Sequence, residues 1–349
     1  MDIIALESIK ITPEILNLVT EIDEFKGAWQ LLGKLSPDRL SVLKKVATIE
    51  SIGSSTRIEG AALTDREVEA FLRKGNAKTF DTRDQQEVAG YALVCSEVCD
   101  HYNSIPFTEN AIKQLHIWLL QYTDRDERHR GEYKKTPIRI EAFDLKGKSM
   151  GILFETTPPL ETGIKMQELM EWTHHSFEEK FLHPLIVIAL FVVIFLAIHP
   201  FQDGNGRLSR LLTTLLMLKS GYSYVPYSSL ESIVEANKEE YYLALQKTQK
   251  AWQNARPDWN AWLLFFFHCL QRQKEHLKVK LKKEKILLSL SPLGHQILEL
   301  LSFHDRLAIA EIAELTQANR NTIKKTLASL VNEHHIVRNG RGKASWYSL

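Results

Sequence analysis

The stretch HPLIVIALFVVIFLAIHPFQDGNGRLSR, residues 183–210, decides the reading of this chain. After His183 it runs from a proline through an unbroken apolar stretch, Pro184 to Ile198. That run is 15 residues long, too short to cross a bilayer, which needs about 20. A helix apolar on every side, if it does not lie in a membrane, belongs at the centre of a helical domain. Pro184 suits its first turn, where a missing N–H costs nothing. A dense polar segment comes next: a histidine, an acid, two glycines around an asparagine, and two arginines. After it, Leu208, Leu211, Leu212 and Leu215 recur at helical spacing on one face.

This order places Gly204 to Arg207 at the N-terminus of a second helix. Glycines there let backbone N–H groups converge on an anion, and the helix dipole favours negative charge. Arg207 and Arg210, three apart, project from the same side and can each fork to phosphate oxygens. Asp203 offers a hard oxygen for Mg²⁺ beside those phosphates. His199 titrates near neutrality and can take a proton from an attacking hydroxyl. The combination describes nucleotidyl or phosphoryl transfer from a nucleoside triphosphate.

Outward from this centre the chain is mainly helical. It has 349 residues, 44% hydrophobic and 25% charged, enough for two or three domains. A net charge of +1 argues neither for nor against a nucleic-acid partner. Three cysteines, Cys95, Cys99 and Cys269, show no paired CxxC spacing and read as reduced thiols. With an N-terminus that does not resemble a signal peptide, they set an expectation of a cytoplasmic protein with no membrane contact. Thr64 or Asp65 can cap DREVEAFLRKG, which Gly75 would end, and Thr108 can cap FTENAIKQLHIWLLQYT. The segments TPIRIEAF and ILFETTPP are β-rich and flank a turn, DLKGKSMG, so a hairpin is expected over about 136–157. Helices resume to about residue 288.

The stretch QRQKEHLKVKLKKEKI carries seven Lys/Arg against two Glu and reads as a basic helix or connector. Beyond it come a short helix, a turn over Thr316 to Asn319, a longer helix and two short strands about NGRGK. That is the winged helix-turn-helix order. Arg320, Asn321, Lys324 and Lys325 lie near the start of the longer helix, with Arg338, Arg341 and Lys343 about the wing. They fit a recognition helix and its wing, and winged helices serve DNA and protein partners alike. Leu327, Leu330 and Val331 should pack inward.

HPFQDGNGRLSR resembles the Fic-family signature HPFx(D/E)GNGRxxR at every fixed position, and the resemblance runs over roughly residues 20 to 260. It implies a helical bundle with a β-hairpin flap. The expected organisation is 1–104 as an N-terminal helical region with an inhibitory helix over about 50–60, 105–272 as the catalytic core, and 273–349 as the connector and winged helix. It also implies a protein adenylyltransferase that moves AMP from ATP to a Ser, Thr or Tyr hydroxyl. His199 would be the base. Asp203 would hold Mg²⁺ between the α- and β-phosphates, and Gly204, Asn205 and Gly206 would form the anion hole. Arg207 would bind on the β-phosphate side and Arg210 the γ-phosphate. The kinase-like branch of the family departs from this loop, which favours AMP transfer. Tyr241, in EEYYLALQ, is expected as an adenosine contact, with a core tyrosine as the other reading.

SSTRIEG, residues 54–60, resembles the family's inhibitory pattern (S/T)xxxE(G/N). Ser55 and Glu59 share a helix face, and Glu59 would pair with Arg210, denying it to the γ-phosphate. Some members also remove AMP with the same glutamate, and both directions stay open. The partners expected are a target protein along the flap by β-augmentation, DNA or a protein at the winged helix, and a second copy of the chain. A DNA-binding regulator whose Fic body only senses nucleotide is the alternative.

Overall fold

The computed structural model describes residues 3–31, 37–73, 80, 82–123, 127–143, 149–253, 257–289, 291–332, 335–340 and 345–348. Two compact units divide between His276 and Leu277. Residues 1–104 and 105–272 lie together in the first.

The first unit is organised around α7 (Pro184–Ile198), where every residue from Leu185 to Ile198 is buried. With no polar face, this helix must be covered on all sides. Each buried Leu, Ile, Val or Phe contributes roughly 1.5–3 kcal/mol, against which chain ordering works. His183 caps its start by accepting from Leu185 N–H at 3.3 Å. Around it pack α6 (Pro159–Glu179), α8 (Asn205–Lys219) and α10 (Lys238–Gln253). From α11 (Asn260–Ser289), Trp262 donates its indole N–H to Ala189 O at 2.7 Å. Asn205 follows Gly204, whose left-handed φ of 77° suits glycine, and α8 starts there.

The N-terminal helices α1 (Pro13–Leu31), α2 (Pro37–Ile58), α3 (Asp65–Arg73) and α4 (Arg83–His101) precede α5 (Glu109–Leu119). Of the two candidate caps, Thr64 starts α3: its hydroxyl accepts from Glu67 N–H, while Glu67 reaches back to Thr64 N–H at 2.8 Å. Gly75 lies outside the described residues. Thr108 caps α5 by accepting from Ala111 N–H at 3.2 Å. Helices α4 and α5 touch backbone to backbone at Gly90, where a Cβ would lie 2.0 Å from Leu119 O. Helix α9 (Leu230–Ala236) packs against α2.

The hairpin consists of β1 (Arg139–Phe143) and β2 (Ser149–Glu155), antiparallel with Arg139 opposite Glu155 and Phe143 opposite Ser149. Ser149 to Gly151, expected in the turn, are strand; 144–148 lie outside the described residues. The register shifts between Ile140 and Glu141 and between Ala142 and Phe143, so bulges absorb the extra residues.

In the second unit, α12 (Pro292–Phe303) and a two-residue β3 (Leu307–Ala308) precede α13 (Ile309–Thr316) and α14 (Arg320–Asn332). Strands β4 (Val337–Asn339) and β5 (Trp346–Ser348) complete an antiparallel sheet in the order β3-β5-β4. Ile297, Leu301, Leu307, Ile312, Ile323, Leu327, Leu330, Ile336 and Tyr347 form its core, with Val331 partly buried against it. Helix α12 and strand β3 were not singled out in the sequence. Helix α11 runs on through the basic stretch to Ser289.

Candidate active site

The end of α7 sets the first catalytic candidate. His199 caps the helix in the left-handed region, φ 53° and ψ 63°, with its N–H donating to Phe195 O at 2.9 Å. A non-glycine residue held there costs of order 1–3 kcal/mol and marks a functional turn. Its ring Nδ1 lies 3.3 Å from Leu196 O. A carbonyl only accepts, so Nδ1 carries the hydrogen and Nε2 keeps its lone pair. Burial, with the nearby Lys134 ammonium, lowers the ring's pKa to about 4, so it is neutral at neutral pH.

Lys134 went unremarked in the sequence. Its Nζ donates to Ile198 O at 2.8 Å and to Thr156 Oγ1 at 2.7 Å. It is 3% exposed, and burial pulls its pKa down to about 8. One ammonium therefore joins the residue before His199 to the base of the hairpin. Lys134 N–H also donates to Pro200 O at 2.8 Å, and Tyr133 bridges to Phe201.

The loop from Pro200 to Gly204 is fixed by two uncharged side chains. The buried Asn205 amide accepts from Phe201 N–H at 2.9 Å and donates to Phe201 O at 2.7 Å. Its side chain therefore braces the loop, leaving only its backbone to an anion hole. His116, from α5, stacks on Phe201 with ring centroids 3.9 Å apart. Its Nδ1 accepts from Gly131 N–H at 3.0 Å, so Nε2 bears the hydrogen and donates to Asp203 O at 3.0 Å. Burial lowers the His116 pKa to about 4 and holds the ring neutral.

Beyond the loop, the first amides of α8 have no acceptor in the preceding turn, as at any helix start. The Glu59 carboxylate lies against them: a Cβ on Gly206 would fall 2.1 Å from Glu59 Oε1. Glu59 follows directly on α2, where the turn closes at Gly60 with φ 107°. Arg210 Nη2 donates to Glu59 Oε1 at 2.8 Å and to Ser55 O at 2.9 Å, while its Nε donates to Ser55 Oγ at 2.8 Å. Burial works most strongly against the charge of this guanidinium, but Glu59, joined by Tyr241 and Tyr91, outweighs it and raises the pKa. Glu59 and Arg210, 151 residues apart in sequence, thus meet in the fold.

Arg207 is 2% exposed and sits between two carboxylates, 3.2 Å from Glu87 and 3.3 Å from Asp203. Arg83 closes the chain of charges, 2.7 Å from Glu87 and 3.2 Å from Asp203. Arg83 and Glu87 come from α4, and sequence reasoning missed both because four-residue spacing on a helix carries no motif. Nε of Arg207 and Nη1 of Arg210 are buried without a hydrogen bond, while Nη1 of Arg207 faces Glu87 Oε2 at 3.2 Å. Buried donors left open beside a helix N-terminus suit an anion. The Asp203 side chain is 37% exposed, so an oxygen can still reach a cation.

Tyr241 lies against Arg210. Its ring is 5% exposed and packs on Trp262 and Phe265, with centroids 6.0 and 5.7 Å away. Behind Arg210, it lines a small closed cavity with Ser209, Thr213 and Phe266. It occupies the core, with no face open for a purine to stack on. Arg320, Lys324 and Lys325 are exposed on α14, whereas Arg341 and Lys343 lie outside the described residues. Among the described residues, no group of His, Cys, Asp or Glu forms a ready metal cluster, and no helix is long and apolar enough to cross a membrane.

A neutral imidazole, two buried guanidinium groups and a glycine-opened helix start thus belong to one short segment, Ile198 to Arg210. Comparison with known proteins bears on this region. Residues 106–217 match the model of the Fic/DOC family. It is 28% identical over 181 residues to a protein adenylyltransferase Fic of Drosophila willistoni, covering 51% of this chain and 34% of that one. To the protein of the same name in Drosophila mojavensis it is 27% identical over 225 residues, covering 62% and 42%. The chain thus spans well under half the length of these relatives. Its fold resembles that of a Fic family protein from Desulfovibrio desulfuricans G20, with a TM-score of 0.63 at 23% identity over 98% of this chain and 97% of that one. It also resembles Fic-1 of C. elegans, with a TM-score of 0.57 at 19% identity over 76% and 73%.

Proposed function

We propose that this protein is a protein adenylyltransferase that transfers AMP from ATP to a Ser, Thr or Tyr hydroxyl of a target protein and of itself, and that Glu59 holds it in check. The observation that carries this reading is the meeting of Glu59 and Ser55 with Arg210 over Gly206, at the helix start that would receive the triphosphate.

With Glu59 displaced, the phosphates of ATP lie on the α8 amides. Arg207 is on the β-phosphate side, and Arg210 is free for the γ-phosphate. Asp203, a partly exposed hard oxygen donor, fits the Mg²⁺ that accompanies ATP. His199 Nε2 accepts the proton of the incoming hydroxyl. The hydroxyl oxygen bonds to the α-phosphorus, the bond from that phosphorus to the bridging oxygen breaks, and pyrophosphate departs. The hairpin edge offers backbone groups to an extended target segment. With Glu59 in place, the carboxylate occupies the guanidinium and repels the phosphate, so ATP cannot seat productively.

Labelled ATP tests both halves. Glu59→Gly should raise auto-AMPylation, and adding His199→Ala should abolish it. An unchanged rate in folded Glu59→Gly protein rejects the inhibition. A Glu59→Gly protein that binds ATP yet adds no AMP mass to any protein favours a nucleotide sensor.

A further inference from the structure

The second unit carries a charged surface that the transfer chemistry does not use. Ile323, Leu327 and Leu330 of α14 are buried, which fixes one face of that helix inward. At 100° per residue, Arg320, Lys324, Ala328, Asn321, Asn332 and Lys325 then fall on one continuous face. All six are exposed. No acid lies on that face; Glu311 and Glu314 belong to α13, where Glu311 is taken up by the Ala308 N–H. Among the described residues, Arg320, Lys324 and Lys325 make no ion pair. This contrasts with the surface of the first unit, where Lys44, Arg73, Lys113 and Lys165 each meet a carboxylate.

A second element faces the same way. Arg320, Lys324, Ala328 and Asn332 border a groove of about 990 Å³ whose other wall includes Arg338 of β4. Arg338 Nη2 is steadied by Ser345 Oγ at 3.0 Å. Cations from a helix and from the following hairpin thus border one concavity. The helix preceding α14 ends at Gln317 in the left-handed region, φ 54°, so the chain turns within three residues. Asn319 then restarts it by accepting from Asn321 N–H at 2.8 Å.

We propose that this unit binds duplex DNA, with α14 seated in the major groove and Arg338 on the flanking phosphates. The groove is about 12 Å wide and admits one helix. The α14 face offers what such a fit needs: cations near the helix start, amides at Asn321 and Asn332 able to meet base edges, and a small residue, Ala328, where the backbone approaches. An acidic protein segment would need the cations but would leave both amides without a role.

The test uses the full chain and a fluorescent mixed-sequence duplex, read by anisotropy at about 50 and about 200 mM salt. Binding should be measurable at the lower salt and fall roughly a hundredfold at the higher if about four phosphates are contacted. The variant Arg320→Ala/Lys324→Ala/Lys325→Ala should lose most of this affinity and flatten the salt slope by about 0.9 for each lost phosphate contact. In the Glu59→Gly background it should leave auto-AMPylation and the melting temperature unchanged, which separates failure here from failure of the transferase reading. No binding at the lower salt, binding indifferent to salt, or a triple variant that binds like the parent each overturns the proposal.

Discussion

The active site and the outer face of α14 treat positive charge in opposite ways. Arg207 and Arg210 are buried, and each is met by a carboxylate within 3.3 Å. Arg320, Lys324 and Lys325 stand in solvent on α14. A guanidinium taken out of water must be paired at once, because an unpaired buried charge is strongly destabilising. On the proposed function, the pairing partner, Glu59 for Arg210, stands where the anion would sit. A solvated cation has no such need and can wait for its partner. Buried charge thus reports a site already held in one state, and exposed charge reports a surface awaiting contact.

The comparison can be broken most decisively at Glu59. Glu59→Gly leaves Arg210 buried without its carboxylate and should raise auto-AMPylation by about two orders of magnitude if freeing the guanidinium is worth about 3 kcal/mol to productive ATP binding. A labelled-ATP time course reads this directly. A smaller gain is expected from Arg57→Ala. Arg57, within the same SSTRIEG stretch, binds Glu235 of α9 at 2.7 and 3.0 Å, Asp65 at 2.9 Å and Leu63 O at 2.9 Å. It fastens the end of α2 while touching neither Arg210 nor Glu59. Its loss should raise transfer about tenfold, the equivalent of about 1.4 kcal/mol. If Arg57→Ala leaves the rate at the resting level in folded protein, the end of α2 is held by Glu59 alone.

The histidines sharpen the picture through pH. His116 and His199 both have pKa values near 4, below the ordinary 6.5, because burial disfavours the imidazolium. The unfolded chain therefore binds protons more readily between those values. Stability from these rings is full above about 6.5 and is lost as pH falls toward 4. Melting temperature should decline over that window, and His116→Gln should reduce the decline by removing one of the two rings. A melting temperature that is flat between pH 6.5 and 4 in the parent rejects this. The smallest effect belongs to α14: alanine at Lys325 should move unfolding free energy by less than about 0.5 kcal/mol in a denaturant titration, as for exposed residues elsewhere.

What could be read in the sequence followed from contiguity. Helix α7 announced itself because 15 neighbouring residues share one character. The 199–210 loop did so because its chemistry is packed into twelve positions, and Ser55 and Glu59 because SSTRIEG resembles a short family pattern. The rest of the site is non-local. His116, Lys134, Arg83 and Glu87 reach the loop from separate segments, and each alone resembles an ordinary polar residue. Tyr241 shows the converse, since proximity in sequence to a motif-like stretch could not distinguish a wall from a core. Strand β3 is two residues long and exists only by pairing with β5, some forty residues on, so no local pattern marks it. The basic character of α11 drew attention to its charge and away from the apolar spacing of α12.

The bare Cα of Gly206 has a consequence for how restraint can be lost. The same missing methyl admits the Glu59 carboxylate and, on the proposed function, would leave room for a phosphate oxygen. A side chain added there would displace Glu59 and, on the proposed function, crowd the phosphates as well. On that reading a permanently active form would arise by change at or around Glu59, not at Gly206.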